Sequence, residues 1–217
     1  MASLVPLLAL LSIGGWPTTF PHFRITLALD ARIPAGVGRG AVDEAAALWA
    51  PYGVAIAQSE PSSVPCAASG RSVDAALTVR VAEPSPDAAR AWSGPFGSIH
   101  FLPDGAPEPT LLLHYDTVIR LGVGTASLEG RRLPQWPTAV RDRVLGRMIG
   151  RVVAHEIGHW LLRSRDHSPS GLMRAHQTTD ELVDPGRGGF ALPAADFARL
   201  RTSLTRSTDQ HHDCGAR

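Results

Sequence analysis

Residues 155–159 read His155-Glu156-Ile157-Gly158-His159, and they close an apolar stretch with no proline between Thr138 and Ser168. Two histidines four apart share one helical face, one turn above the other, so both imidazoles can bind one metal ion. Glu156, beside the first, can reach a water held at the ion's open position. Protein ligands plus one water is the catalytic form of tetrahedral zinc, which brings the water's pKa down to about 7. A purely structural zinc site needs no glutamate at that position. The pentapeptide therefore points to a hydrolytic Zn²⁺ centre, with His155 and His159 as metal ligands and Glu156 as the general base.

Upstream, Val144, Leu145, Met148, Ile149, Val152 and Val153 fall at helical spacing, and Pro137-Thr138 is a start signal. The spacing predicts one long helix from Thr138 to about Leu162. Its apolar surroundings would bury the histidines, and buried paired imidazoles need a partner.

The third ligand must come from downstream, where Asp166, His167, His176, Asp180, Glu181 and Asp184 are the candidates. His167 is preferred. The helix has to end soon after His159 for the chain to return to the same metal, and Arg163-Ser164-Arg165-Asp166 is polar enough to turn. Ser168-Pro169-Ser170-Gly171 then makes a second turn, followed by Leu172 and Met173. Glu181, 22 residues after His159, is the alternative ligand, although Pro169, Gly171, Pro185 and Gly186 leave room only for a short supporting helix around it. Asp166 is a further option, as a ligand or as a carboxylate orienting a ligand histidine.

The stretch from His155 to Met173 resembles the metzincin metallopeptidases: a zinc-binding helix, a chain reversal, a third histidine, and a turn carrying a methionine. The resemblance implies His155, His159 and His167 as ligands, Glu156 as base, and Met173 as the Met-turn residue beneath the metal. This chain departs from the familiar pattern in two ways. Leu162 stands where glycine is usual, and His167 follows His159 by eight residues rather than six. Arg163 or Ser164 must then take up the reversal, without the residue that tolerates positive φ most readily. No tyrosine follows the turn to help hold an oxyanion.

The order of elements extends the resemblance loosely over residues 23–203. Alternation predicts strands at Phe23–Asp30, Val54–Ala57, Ala76–Val81, Ser98–Leu102 and Leu111–Ile119, a helix at Gly40–Trp49 and a final helix at Pro193–Leu200. The fold class expected is α+β: a metzincin-like zincin catalytic domain, a mixed twisted sheet with an active-site helix and a C-terminal helix. Either of the last two strands can serve as an edge that binds an extended peptide. His100 and His114 read as structural or surface histidines.

The chain has 217 residues and net charge +1, which suits one domain and gives no electrostatic case for nucleic acid. Lysine is absent, and with abundant Ala, Gly and Pro this looks like a GC-rich bacterial coding sequence. Residues 1–20 hold an uncharged apolar run, Ser3 to Trp16, of signal-peptide length and too short to span a bilayer comfortably. Export to the periplasm or exterior is the expectation, with a catalytic domain over 21–205 and a polar, disordered tail over 206–217. Whether Cys66 and Cys214 pair is open. The functional expectation is a zinc-dependent endopeptidase-type hydrolase acting on a peptide or protein substrate. The alternatives are a gluzincin-type peptidase using Glu181, and a zinc- or peptide-binding module without turnover.

Overall fold

Alternation sets the first strand, β1 (Phe23–Leu29): Phe23, Ile25 and Leu27 are buried while the residues between them are not. The computed structural model of the protein describes residues 23–59, 73–83, 95–125, 127–128 and 131–212. The apolar segment 1–20, Cys66 and Cys214 lie outside them.

Helix α1 (Ala35–Trp49) leads from β1 to β2 (Val54–Gln58), which pairs parallel to β1. It begins five residues before the expected Gly40, directly after Pro34, whose fixed φ suits a helix entry. Strand β3 (Val73–Val81) lies parallel on the other side of β1. Next come β4 (Gly97–Phe101) and β5 (Pro107–Leu113). β5 is parallel to β3, and β4 runs antiparallel at the edge, giving the order β2-β1-β3-β5-β4. This mixed five-stranded sheet with its covering helices is an α+β architecture.

One predicted strand is corrected. Leu111–Ile119 does not continue as a strand: β5 stops at Leu113, and α2 (Tyr115–Thr125) begins. The His114 carbonyl accepts from Thr117 and Val118 N–H at 3.0 and 3.1 Å, and Asp116 sits favourably in the first turn. Strand propensity in Thr117-Val118-Ile119 loses to packing, since the helix buries Val118 completely and sets Gly122 against Leu133 and Met148. A short hairpin, β6 (Ser127–Leu128) with β7 (Arg131–Arg132), follows.

Helix α3 (Thr138–Leu162) has the predicted bounds. It crosses α1 at glycines: a Cβ on Gly150 would stand 2.6 Å from Ala41 O, and one on Gly146 2.9 Å from Gly40 Cα. The backbones touch there, which presses α3 into the core and leaves Ile157 and Ala154 wholly buried. Trp49 Nε1–H donates to Ala154 O at 3.0 Å, tying the end of α1 to the turn just before His155.

Beyond Met173 the chain runs on toward Pro193. It contains a one-turn helix, α4 (Thr179–Val183), which buries Leu182. The final helix, α5 (Ala194–His212), continues past residue 205, where the sequence reading placed the start of the tail. Among the described residues no helix is long and apolar enough to cross a membrane.

Candidate metal centre

The last turns of α3 carry His155, Glu156 and His159. His159 and Glu156 are each 6% exposed, and His155 is half-buried. Each of the two imidazoles is held by a backbone carbonyl: His155 Nδ1 lies 2.7 Å from Leu172 O, and His159 Nδ1 lies 2.7 Å from Ser164 O. A carbonyl only accepts, so both Nδ1 atoms carry the hydrogen. Both neutral rings then point an Nε2 lone pair at the other, 3.1 Å apart. Two facing lone pairs repel unless a cation lies between them.

A proton is a poor candidate for that cation. Burial depresses the basicity of both rings, His155 to about 4 and His159 in the same direction, against the raising effect of their carbonyl partners. A metal ion fits better. Two nitrogens each about 2.0–2.1 Å from a tetrahedral zinc stand roughly 3.3–3.4 Å apart, close to the spacing observed.

His167 completes the group. The ligand atoms of His155, His159 and His167 all lie within 4.8 Å of one another. His167 stacks on His155 (ring centroids 5.3 Å apart) and stands edge-on to His159 at 4.8 Å. The reversal that brings it there falls on Arg163, which adopts φ 49° and ψ 45°, the one positive φ outside glycine among the described residues. Ser164 N–H donates back to His159 O at 3.2 Å. Asp166 N–H then donates to Ser164 Oγ at 3.1 Å, and Ser164 O–H donates to Asp166 Oδ2 at 2.9 Å. Asp166 thus shapes the loop and makes no hydrogen bond to a histidine.

Met173 lies 1% exposed under α3. A Cβ at Gly158 would fall 2.1 Å from Met173 Sδ, so the glycine inside the pentapeptide is the space the thioether fills. The turn is closed by Ser168 N–H donating to Met173 O at 2.8 Å, with Gly171 at φ 75°. It is this turn that presents Leu172 O to His155. Ser168 Oγ also bonds Asp196 Oδ2 of α5, anchoring the turn from below.

Glu181 is not brought to the histidines. Its Oε2 accepts from Thr178 N at 2.8 Å, Thr178 Oγ1 at 2.9 Å and Arg174 Nη2 at 2.6 Å, a capping box at the start of α4. Arg174 first, then Thr178, draw its pKa down to about 2. Asp166, His176, Asp180 and Asp184 also lie outside the three-histidine group. His100 pairs with Glu108 at 3.2 Å on the surface, and His114 caps α2 through its carbonyl.

Glu156 sits beside the group with desolvation alone acting on it, which lifts its pKa to about 8. A neighbouring dication would pull that value back down. Its carboxylate has space because Gly97 opens β4: a Cβ there would stand 2.9 Å from both Glu156 Cγ and Oε1. Sequence reasoning missed Gly97 and Gly158, whose partners are distant in the chain. It also missed a buried ion cluster behind the site. Arg151 is fully buried and donates through Nε to Glu44 Oε1 at 2.9 Å, through Nη2 to Gly186 O at 2.6 Å, and to Glu181 O. Arg187 joins Glu44 Oε2 at 2.7 Å. The cluster pins the segment after Met173 to α1 and α3. The signal for it was two opposite charges inside apolar helical stripes.

The histidines and Glu156 open into a cleft of about 800 Å³ between β4 and residues 174–179. No protein-family model matches the chain, and no curated protein matches it. Among solved structures the chain is similar to a zinc-dependent peptidase from Methanocorpusculum labreanum, at 17% identity and a TM-score of 0.46, with 81% of this chain and 99% of that one covered.

Proposed function

We propose that this chain is a zinc-dependent peptidase of metzincin-like type. The observation that carries the reading is the histidine group itself. Two Nδ1–H groups are fixed by carbonyls, two Nε2 lone pairs face each other at 3.1 Å, and a third imidazole closes on them beside a desolvated carboxylate. The metzincin-like type is supported by Arg163 making the longer reversal and by Met173 seated against Gly158.

His155, His159 and His167 would hold the ion, and zinc bound there supplies a Lewis acid and lowers the pKa of a water. Leu172 O and Ser164 O fix the ring orientation of the first two ligands and raise their basicity. Glu156 takes the proton of the attacking water and returns it to the leaving amine nitrogen. Edge strand β4 offers main-chain groups to an extended peptide beside Glu156. The substrate is therefore expected to be a peptide or protein segment.

The test is metal content with activity. Wild type should hold one zinc per chain, His167→Ala should lose most of it, and Glu181→Ala should retain it. Glu156→Gln should keep zinc and lose turnover. Zinc retained in His167→Ala and lost in Glu181→Ala would move the site to the gluzincin alternative. Full turnover by Glu156→Gln would remove the general-base assignment.

A further inference from the structure

The charged lining of the cleft is one-sided. Among the described residues its only carboxylate is Glu156, which lies on the floor at 6% exposure, whereas Arg165 and Arg174 both stand on the walls.

Arg165 comes from the reversal between His159 and His167. Its guanidinium lies over the Phe101 ring, 5.0 Å from the centroid, and Nη2 donates to Phe101 O at 3.4 Å. It therefore reaches from the ligand loop to the far end of β4. The strand's main-chain groups alternate in direction. Phe96 O and Leu102 N are bonded toward β5 and its turn, which leaves Gly97, Ile99 and Phe101 facing outward. Arg165 occupies the outward carbonyl of Phe101, so a peptide pairing with Gly97 and Ile99 runs directly into an exposed guanidinium. Asp166, the acid next to it in sequence, is engaged with Ser164.

Arg174 follows Met173 on the opposite wall. Nη2 is paired with Glu181 at 2.6 Å, but Nε is buried with no acceptor, the single such side-chain atom among the described residues. The rest of the side chain is 32% exposed and lines the cleft, so a ligand oxygen approaches the guanidinium from that open side. Guanidinium forks suit carboxylates, which they bind with two parallel hydrogen bonds. Among the described residues no strand pairs with the outer edge of β4, and that edge makes the occupant a peptide.

From this we infer that the cleft selects peptides with carboxylate side chains near the scissile bond, with Arg165 and Arg174 as the specificity-determining residues. The inference rests on the peptidase reading for what happens to the peptide, but the charge selection concerns binding and can be measured separately.

The experiment uses sets of Ala/Gly-based hexapeptides with Glu, Gln or Lys placed at each position in turn. Binding is read by fluorescence anisotropy on zinc-loaded Glu156→Gln protein, and cleavage by the zinc-loaded wild type. The Glu member of the best set should bind about tenfold more tightly than its Gln partner, the worth of one charge-assisted hydrogen bond in a half-open cleft. Arg165→Gln or Arg174→Gln should bring that ratio toward one. Arg165→Glu should invert it in favour of Lys, a gain that a misfolded protein cannot show. Equal binding of Glu and Gln peptides at every position, or a preference for Lys in the parent protein, overturns the inference whether or not peptides are cut. Selective binding without any cleavage by the wild type upholds the inference and overturns the peptidase reading instead.

Discussion

Gly158→Ala tests whether Met173 is wedged beneath the histidine helix. A Cβ at this position stands 2.1 Å from Met173 Sδ and 3.0 Å from its Cε, with Trp49 Cζ2 at 3.4 Å. Non-bonded heavy atoms rest about 3.5–4.0 Å apart, so the thioether has to retreat by more than an ångström. It has little room, since Met173 is 1% exposed and Trp49 is fully buried. Two terms oppose each other. Alanine in place of a mid-helix glycine favours the helix by about 1 kcal/mol. Overpacking a closed core costs about 1–3 kcal/mol, softened by methionine's flexibility. The expected net effect on the metal-free protein is a loss of about 1 kcal/mol in urea unfolding. The effect on the metal should be larger. Moving Met173 moves Leu172, whose carbonyl fixes His155 at 2.7 Å, and losing such a partner typically weakens metal binding about 10–100-fold. Competition against a chromophoric chelator reads that directly. Adding Met173→Ala removes the clash, so the two substitutions should couple by about 1 kcal/mol or more in a double-mutant cycle. A Gly158→Ala protein that gains the full helix propensity and binds zinc like wild type would refute the wedge.

Gly97→Ala should keep the metal and lose activity by about 100-fold if Glu156 is the proposed base, because a Cβ 2.9 Å from Glu156 Oε1 displaces that carboxylate by roughly the ångström that ruins alignment; unchanged kcat would show that the carboxylate has another resting place. Glu44→Ala should cost about 3–5 kcal/mol, since it strands a fully buried Arg151, while Arg187→Ala, with half its side chain exposed, should cost less than about 1 kcal/mol. Similar urea midpoints for the two variants would mean that Arg151 finds water or another acceptor. In metal-free protein, burial lifts Glu156 from 4.5 to about 8, so the folded state keeps a proton that the unfolded state releases. Stability should fall as pH rises from about 4.5 and level off past about 8. Glu156→Gln should lack that component, so a wild-type-minus-variant difference that stays flat across the window would contradict the desolvated environment.

The parts of the candidate site legible in the sequence are those encoded within one or two helical turns. His155, Glu156 and His159 needed only the helical repeat, and the bounds of α3 needed only Pro137 and a polar run after Leu162. His167 could be reached because the reversal is short, and its geometry left Arg163 or Ser164 to take the strain; Arg163 takes it. The Leu111–Ile119 segment misled because Thr, Val and Ile suit a strand locally, and only the demand to bury Val118 turns the segment into α2. Contacts that close the site come from far along the chain. Gly97 meets Glu156, Gly158 admits Met173, and Glu44 holds Arg151 and Arg187. Each leaves only a weak local trace. Glu44 stands in the stripe of Ala41, Ala45 and Leu48, and Arg151 in that of Met148, Val152 and His155, where a charge has no business unless something opposite meets it. Two such interruptions of opposite sign in helices that must pack together are a usable pairing rule. Applied to this chain, it ties the wall of the cleft to the core through Arg151, one turn before the first histidine. That is why the rigidity of the candidate metal site and the position of the cleft wall should fail together when Glu44 is removed.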